Sequence, residues 1–187
     1  FLFVQHWKRH VDQSLSGLLE CYRNSLETGD GEFIGHAAHV FCKCAFAIGR
    51  PLPDLTEQLV AYREVLERFG QQRNLTDLSI MLQTALNLRS ECSDPWILKG
   101  RYFDESPFLS GDPSAGIQEE IVNVFLHKFL LCFWFERYEE AMAHRHMAAR
   151  FLNVTRGSFI FVMFHFYDSL VHLAMLRRGG LFPTRSC

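Results

Sequence analysis

The chain lacks a surplus of charge. Nineteen Lys and Arg stand against 21 Asp and Glu, a formal net charge of −2. No basic cluster is longer than a pair such as Arg177-Arg178. Charge scattered in this way leaves no electrostatic footprint for nucleic acid, and so short a basic pair is too little to argue for a membrane surface. The chain also lacks an uninterrupted apolar run of the roughly 20 residues that a spanning helix needs. The run from Phe159 to Phe164 meets His165 and Asp168, and the run from Ile121 to Phe135 is broken by Asn123, His127 and Lys128. There is no glycine-rich loop of the form G-x-x-x-x-G-K-S/T, no H-R-D and no D-F-G triplet, so phosphoryl-transfer chemistry cannot be placed on these residues. The sequence opens at Phe1 inside an apolar helical pattern, with no initiator Met, basic leader or cleavage site. That reads as a segment of a longer polypeptide, not as a secreted precursor.

Cysteine is present but unpatterned. Cys21, Cys42, Cys44, Cys92, Cys132 and Cys187 include no zinc-like Cys-x-x-Cys pair, and four of them sit in apolar helical stretches. They read as reduced thiols acting as small hydrophobes in a cytosolic protein.

What is abundant is helical periodicity. Hydrophobic residues make up 48% of the chain, enough for a sizeable core. From Leu2 to Glu27 the apolar positions Val4, Trp7, Val11, Leu15, Leu18 and Tyr22 recur every three or four residues, which predicts one long helix. Gly29-Asp30-Gly31 ends it in a turn. A second helix is predicted from about Glu32 to Ile48. A third opens on Asp54 and Glu57 at capping-box spacing and runs to Phe69. A fourth runs from about Gln72 to Arg89. Residues 90–112 are less regular; Asp94-Pro95 predicts a short helix up to Gly100, and another is expected after Asp104. Asp112-Pro113 then opens a long helix to about Phe135. A sixth covers about Tyr138 to Asn153, and a seventh about Arg156 to Arg178, closed by Gly179-Gly180. The stretch Phe159 to Met163 could be a buried strand, but the longer window to Leu176 favours helix. The expected fold is therefore all-α: about seven main helices in antiparallel pairs stacked as a TPR-like α-solenoid, forming a single helical-repeat domain over 1–187 with an irregular linker at about 90–112. Leu131 to Ala148, with Trp134, Tyr138 and Ala141, resembles a degenerate tetratricopeptide unit in which Phe135 stands where glycine is usual.

Each polar constellation has a functional and a structural reading. His6 and His10 are four apart, a spacing that can chelate a metal, but no third ligand is near. His36, His39 and Cys42 step by three along one helix, where Ala37, Ala38, Val40 and Phe41 argue for packing instead. His144 and His146 are two apart and point to different sides. Glu119-Glu120 and Glu139-Glu140 fall near helix starts, where the dipole favours acids. The densest feature is His165, Asp168, Ser169 and His172, at i, i+3, i+4 and i+7 on one side of the last helix. These are the residue types of a hydrolytic triad, but a mid-helix serine offers neither a strained nucleophile nor an oxyanion hole. The reading we adopt is a buried polar seam bonded to a neighbouring helix, with ligand contact as the alternative. Catalytic, cofactor-binding and metal-binding residues are not expected.

The run Phe164-His165-Phe166-Tyr167-Asp168-Ser169-Leu170 resembles a motif in the helical region of very large, cyanobacterial-type signalling kinases. These join a Ser/Thr-kinase-like domain, an AAA-type NTPase, a TPR-like region, a GAF sensor and a histidine kinase. His6-Trp7-Lys8, Leu26 to Phe33 with Gly35 and Ala37-Ala38, Glu57 to Leu66, Leu86-Asn87-Leu88, Ser93-Asp94-Pro95 and Phe103-Asp104-Glu105 resemble other parts of that region in the same order. So do Leu130-Leu131-Cys132 and Tyr138-Glu139-x-Ala141. Phe135-Glu136 and Arg156-Gly157-Ser158 depart from its usual turns. The resemblance implies a cytoplasmic, non-catalytic scaffold or signal-transmitting segment without a cofactor. Its partners would be neighbouring domains of the same polypeptide, another protein or a second copy, with no nucleic acid and no membrane insertion. A small-molecule-sensing regulatory domain is the alternative, motivated by the aromatic density from Phe159 to Tyr167.

Overall fold

The computed structural model describes residues 8–90, 94–110 and 118–178. His6, Trp7, Cys92, Ser93, the Asp112-Pro113 helix start, Gly179-Gly180 and Cys187 lie outside them. The fold is all-α, as expected: eight α-helices and no strand among the described residues, with one isolated bridge between Lys99 and Asp104. The chain falls into two compact units, Phe1–Gly111 and Asp112–Cys187.

The first unit holds α1 (Leu15–Thr28), α2 (Gly31–Ala47), α3 (Leu52–Arg68), α4 (Gln72–Leu88) and the short α5 (Ser106–Ser110). The long first helix predicted from Leu2 is interrupted. His10 is extended at φ −59°, ψ 139°, and its Nδ1 accepts from the Asp12 N–H at 3.3 Å, opening a 3-10 turn at Val11–Ser14 before α1. Periodicity alone cannot see such a side-chain cap. Gly29 closes α1 at φ 70°, where a Cβ would be strained, and the Asp30 carboxylate caps α2 by accepting from Phe33 N–H at 3.2 Å. The Asp54 capping box does not form. α3 begins two residues earlier, with Pro51 at the cap and Pro53 in the first turn, where a missing N–H costs nothing.

Helices α1/α2 and α3/α4 are hairpins, and α2 packs on both α3 and α4. Their core is Ile34, Phe41, Leu55, Leu59, Leu78 and Leu82, all fully buried. Tyr62 of α3 meets Tyr22 of α1 edge-on at 4.9 Å and Phe41 of α2 at 5.9 Å. Gly35 permits the close approach of α2 and α4, because a Cβ there would lie 2.3 Å from Asn74 Nδ2.

The irregular linker has an order of its own. The predicted helix up to Gly100 is a single turn, with Ile97 N–H on Asp94 O at 3.0 Å; the helix expected after Asp104 forms as α5, its start capped by Asp104 Oδ1. Two buried amides of α4 tie the segment down. Asn87 Nδ2 donates to Pro95 O (3.0 Å) and Ile97 O (2.7 Å), and Gln83 Oε1 accepts from Tyr102 N–H at 3.3 Å. Buried Glu105 closes the loop by accepting from Leu98 N–H at 2.8 Å.

The second unit holds α6 (Gln118–Trp134), α7 (Tyr138–Phe151), a 3-10 turn at Leu152–Thr155 and α8 (Phe159–Arg178). Ile121 to Cys132 of α6 are buried without a break, the polar Asn123, His127 and Lys128 among them, and a helix enclosed on every side is mostly apolar around its circumference. The sixth predicted helix ends early in the 3-10 turn. The seventh starts late, since Arg156 is extended at ψ 134° and Gly157 has φ 82°. Phe159 to Met163 are helical. In the α6–α7 turn the left-handed position falls on Glu136, at φ 57°, and not on Phe135, where the repeat pattern would place glycine. A non-glycine residue there costs roughly 1–2 kcal/mol.

Candidate interaction face on the last helix

Helix α8 has two different sides. On one, Phe164 and Val171 are fully buried, and the Phe164 ring lies 5.9 Å from Phe129 of α6. Tyr167 meets Phe133 edge-on at 5.5 Å and Trp134 at 6.2 Å. The same side carries an ion pair. Arg145 of α7 grips Asp168 through Nε–Oδ1 at 2.8 Å and Nη2–Oδ2 at 2.9 Å. This bidentate geometry is the strong form of the interaction. The Arg145 guanidinium holds the Asp168 carboxyl below the usual carboxylate range and in turn has its own pKa raised. At the C-terminal end Arg178 reaches back to the α6–α7 turn. It donates to the Glu136 carboxylate (2.8 Å) and to the Glu136 carbonyl (3.1 Å), and its guanidinium sits 4.3 Å from the centre of the Tyr138 ring. The strained Glu136 turn is therefore clamped by the end of α8.

The four stripe residues do not form the buried seam expected of them. Asp168 crosses to another helix, to Arg145, whereas His165, Ser169 and His172 are exposed. Ser169 Oγ donates to His165 O at 2.9 Å, and His172 Nδ1 lies 2.7 Å from Asp168 O and 3.2 Å from Asp168 Oδ1. A serine hydroxyl bonded to its own helix backbone is not an activated nucleophile. Sequence spacing placed the four on one side correctly. It could not say that the helix turns this side largely to solvent, because α8 is apolar around most of its circumference.

The other side of α8 is exposed and apolar: Phe166 is 58%, Leu173 54% and Leu176 40% exposed. Nearby, Trp134 at the end of α6 is 55% exposed. Taken whole, the 20-residue helix has a mean hydropathy of 1.6 over its best window, of which 11% is buried. The apolar-run length argument made on Phe159 to Phe164 therefore does not apply to α8 as a helix, which is long and apolar enough to cross a membrane by length and composition alone. Large exposed apolar side chains grouped along one helix point to a binding surface.

The remaining sequence candidates are dispersed. His10 caps its own turn. His39 and Asp77 are buried between α2 and α4, with His39 Nε2 3.3 Å from Asp77 Oδ2. Beside them burial lowers the pKa of Lys43, opposed by the Asp77 charge, a cluster the sequence reading missed because Lys43 and Asp77 are 34 positions apart. His36 is exposed. Buried Cys42 has its thiol pushed up by desolvation, and Cys44 is pushed up to about 11, the behaviour of inert packing thiols. His144 is lowered to about 4 by burial and by the Lys128 charge. Glu119-Glu120 and Glu139-Glu140 occupy first helical turns. Among the described residues no group of three His, Cys, Asp or Glu could hold a metal ion.

No protein-family model, no curated protein and no solved structure matches the chain.

Proposed function

We propose that this chain is a non-catalytic helical scaffold, a signal-transmitting segment of a cytoplasmic multi-domain signalling kinase that makes contacts with neighbouring domains or with a protein partner. The observation that carries the reading is the division of labour on α8. Asp168 and Arg178 anchor the helix through Arg145 and Glu136, while Phe166, Leu173 and Leu176 face outward. A surface that exposes large apolar side chains is suited to protein contact and not to bond-making chemistry. The test is capture of the kinase-like and NTPase portions of the parent polypeptide by the immobilised chain. Binding that is lost on Leu173→Glu supports the reading; no capture by the unaltered chain sinks it.

The small-molecule-sensing alternative draws on a different place. An open groove of about 440 Å³ in the first unit is lined by residues including Glu20, Asn24, Asp30 and Phe33, a volume within the range of ligand sites. The aromatics from Phe159 to Tyr167 that first motivated it include Phe164 and Tyr167, which are occupied in ring contacts with α6. A thermal-shift screen in which Asn24→Trp abolishes a hit would favour this reading.

A further inference from the structure

We infer that the outer face of α8 pairs with the same face of a second copy of this chain. The inference deepens the scaffold reading by naming the partner, and rests on it.

The argument begins with spacing. Along α8 Phe159, Phe166 and Leu173 repeat every seven residues, and so do Val162, Ser169 and Leu176. Seven residues are two helical turns, so each series lies on one side of α8, and together they occupy the places of a and d in a heptad facing another helix. The fold respects this register. The residues anchored within the second unit are Phe164, Val171 and Arg178, seven apart at f, with Tyr167 at b and Asp168 at c. Positions b, c and f are the back of a heptad helix. The unit thus holds α8 by its back and presents its a/d seam outward.

Charge and area both favour a second copy. The charged residues of α8 are Asp168, Arg177 and Arg178. Asp168 is paired with Arg145 and Arg178 with Glu136. A self-pair in parallel register therefore brings no like charges together along the seam before Arg177. Of the flanking e and g positions, Met163, Leu170, His165 and His172 carry no fixed charge that would select an oppositely charged partner, and the charged one, Arg177 at the last e position, lies just past the end of the seam at Leu176. At about 200 Å² for a fully exposed large side chain, Phe166, Leu173 and Leu176 together expose roughly 300 Å² per copy. With half-buried Phe159, Val162, Met163 and Leu170 the face reaches roughly 450 Å², or about 900 Å² in a pair. The polar flanks bring it to the roughly 1,000 Å² at which specific interfaces begin. That is a reversible dimer, with Ser169 facing its counterpart as a small polar layer near the middle. A membrane-lying helix would instead need a broad 3.6-period face rimmed by Lys and Arg, which α8 does not have.

The experiment is sedimentation equilibrium of the full chain from about 1 to 200 μM, a range set by an interface of this size, with circular dichroism to monitor helix. The unaltered chain is expected to move toward twice the monomer mass as concentration rises. The double variant Phe166→Glu, Leu173→Glu is expected to stay monomeric with unchanged helix signal, since both side chains are exposed. Phe33→Glu, an equally exposed apolar site in the first unit, is expected to dimerise normally. An unaltered chain that is monomeric throughout overturns the inference. So does a dimer that survives the double variant or is lost with Phe33→Glu. A monomeric chain that still captures its flanking domains through Leu173 overturns self-pairing and leaves the scaffold reading standing; a dimer that captures nothing does the reverse.

Discussion

Asn87 is fully buried, and its side chain makes three hydrogen bonds: it donates to Pro95 O and Ile97 O and accepts from Gln83 Nε2 at 2.8 Å. The change Asn87→Leu keeps the approximate shape and removes all three. Each lost bond is worth about 1 kcal/mol net, and a buried group left without a partner costs about 1–3 kcal/mol. Full payment at three orphaned groups would exceed what releasing the segment costs, because Pro95 and Ile97 are only half-buried and their carbonyls can turn to water. The expected loss is therefore about 3 kcal/mol, drawn from the anchoring of residues 94–105. The assay is amide hydrogen exchange. The N–H groups of Leu98, Gly100 and Glu105 are bonded inside this segment, to Glu105 Oε2, Phe103 O and Leu98 O. A loss of about 3 kcal/mol accelerates their exchange roughly 100-fold or more, while amides of α1 keep their protection. If those three amides exchange within a factor of about three of the unaltered rate, the strap is not what holds the segment, and the reasoning fails. Asn87→Asp should be worse than Asn87→Leu, because a carboxylate oxygen would then face two carbonyl oxygens.

Gly35→Ala should destabilise the first unit by about 1–3 kcal/mol in urea unfolding, since its Cβ would meet Asn74 Nδ2 at 2.3 Å; pairing it with Asn74→Ala should recover most of the loss, and full tolerance of the single change would refute the close approach. His144 has a folded pKa of about 4 against an ordinary 6.5, so the unfolded chain takes up its proton first. Its contribution is complete above about pH 6.5 and is lost as pH falls toward 4, amounting to about 1–2 kcal/mol after allowance for partial exposure. His144→Gln should flatten that part of the stability profile relative to the unaltered chain, and identical profiles would argue against the buried neutral ring.

Helices α2, α4 and α6 announce themselves through long apolar periods, and the turns of the first unit carry local chemistry that can be read in order: Gly29 and Asp30 before α2, Pro51 and Pro53 at the start of α3, Gly70 before α4. Where prediction missed, a non-local or side-chain interaction had decided the matter. His10 capping its own turn broke the first helix. Two prolines overrode the Asp54 box. Buried Asn87 and Gln83 ordered a segment whose own residues show little period. The stripe on α8 was legible as a stripe, yet its partner, Arg145, lies 23 positions away, and no spacing rule connects the two.

The all-α class, the approximate course of the main helices from Gly31 onward and the placing of His165, Asp168, Ser169 and His172 on one helical side follow from the sequence alone, because period and turns are local properties of the chain. Which side of α8 is held and which is offered was decided only by tertiary structure. A helix apolar around most of its circumference carries no local mark of its outward face. That choice was made by distant groups: Phe129, Arg145 and Glu136 engage its back and leave Phe166, Leu173 and Leu176 in solvent.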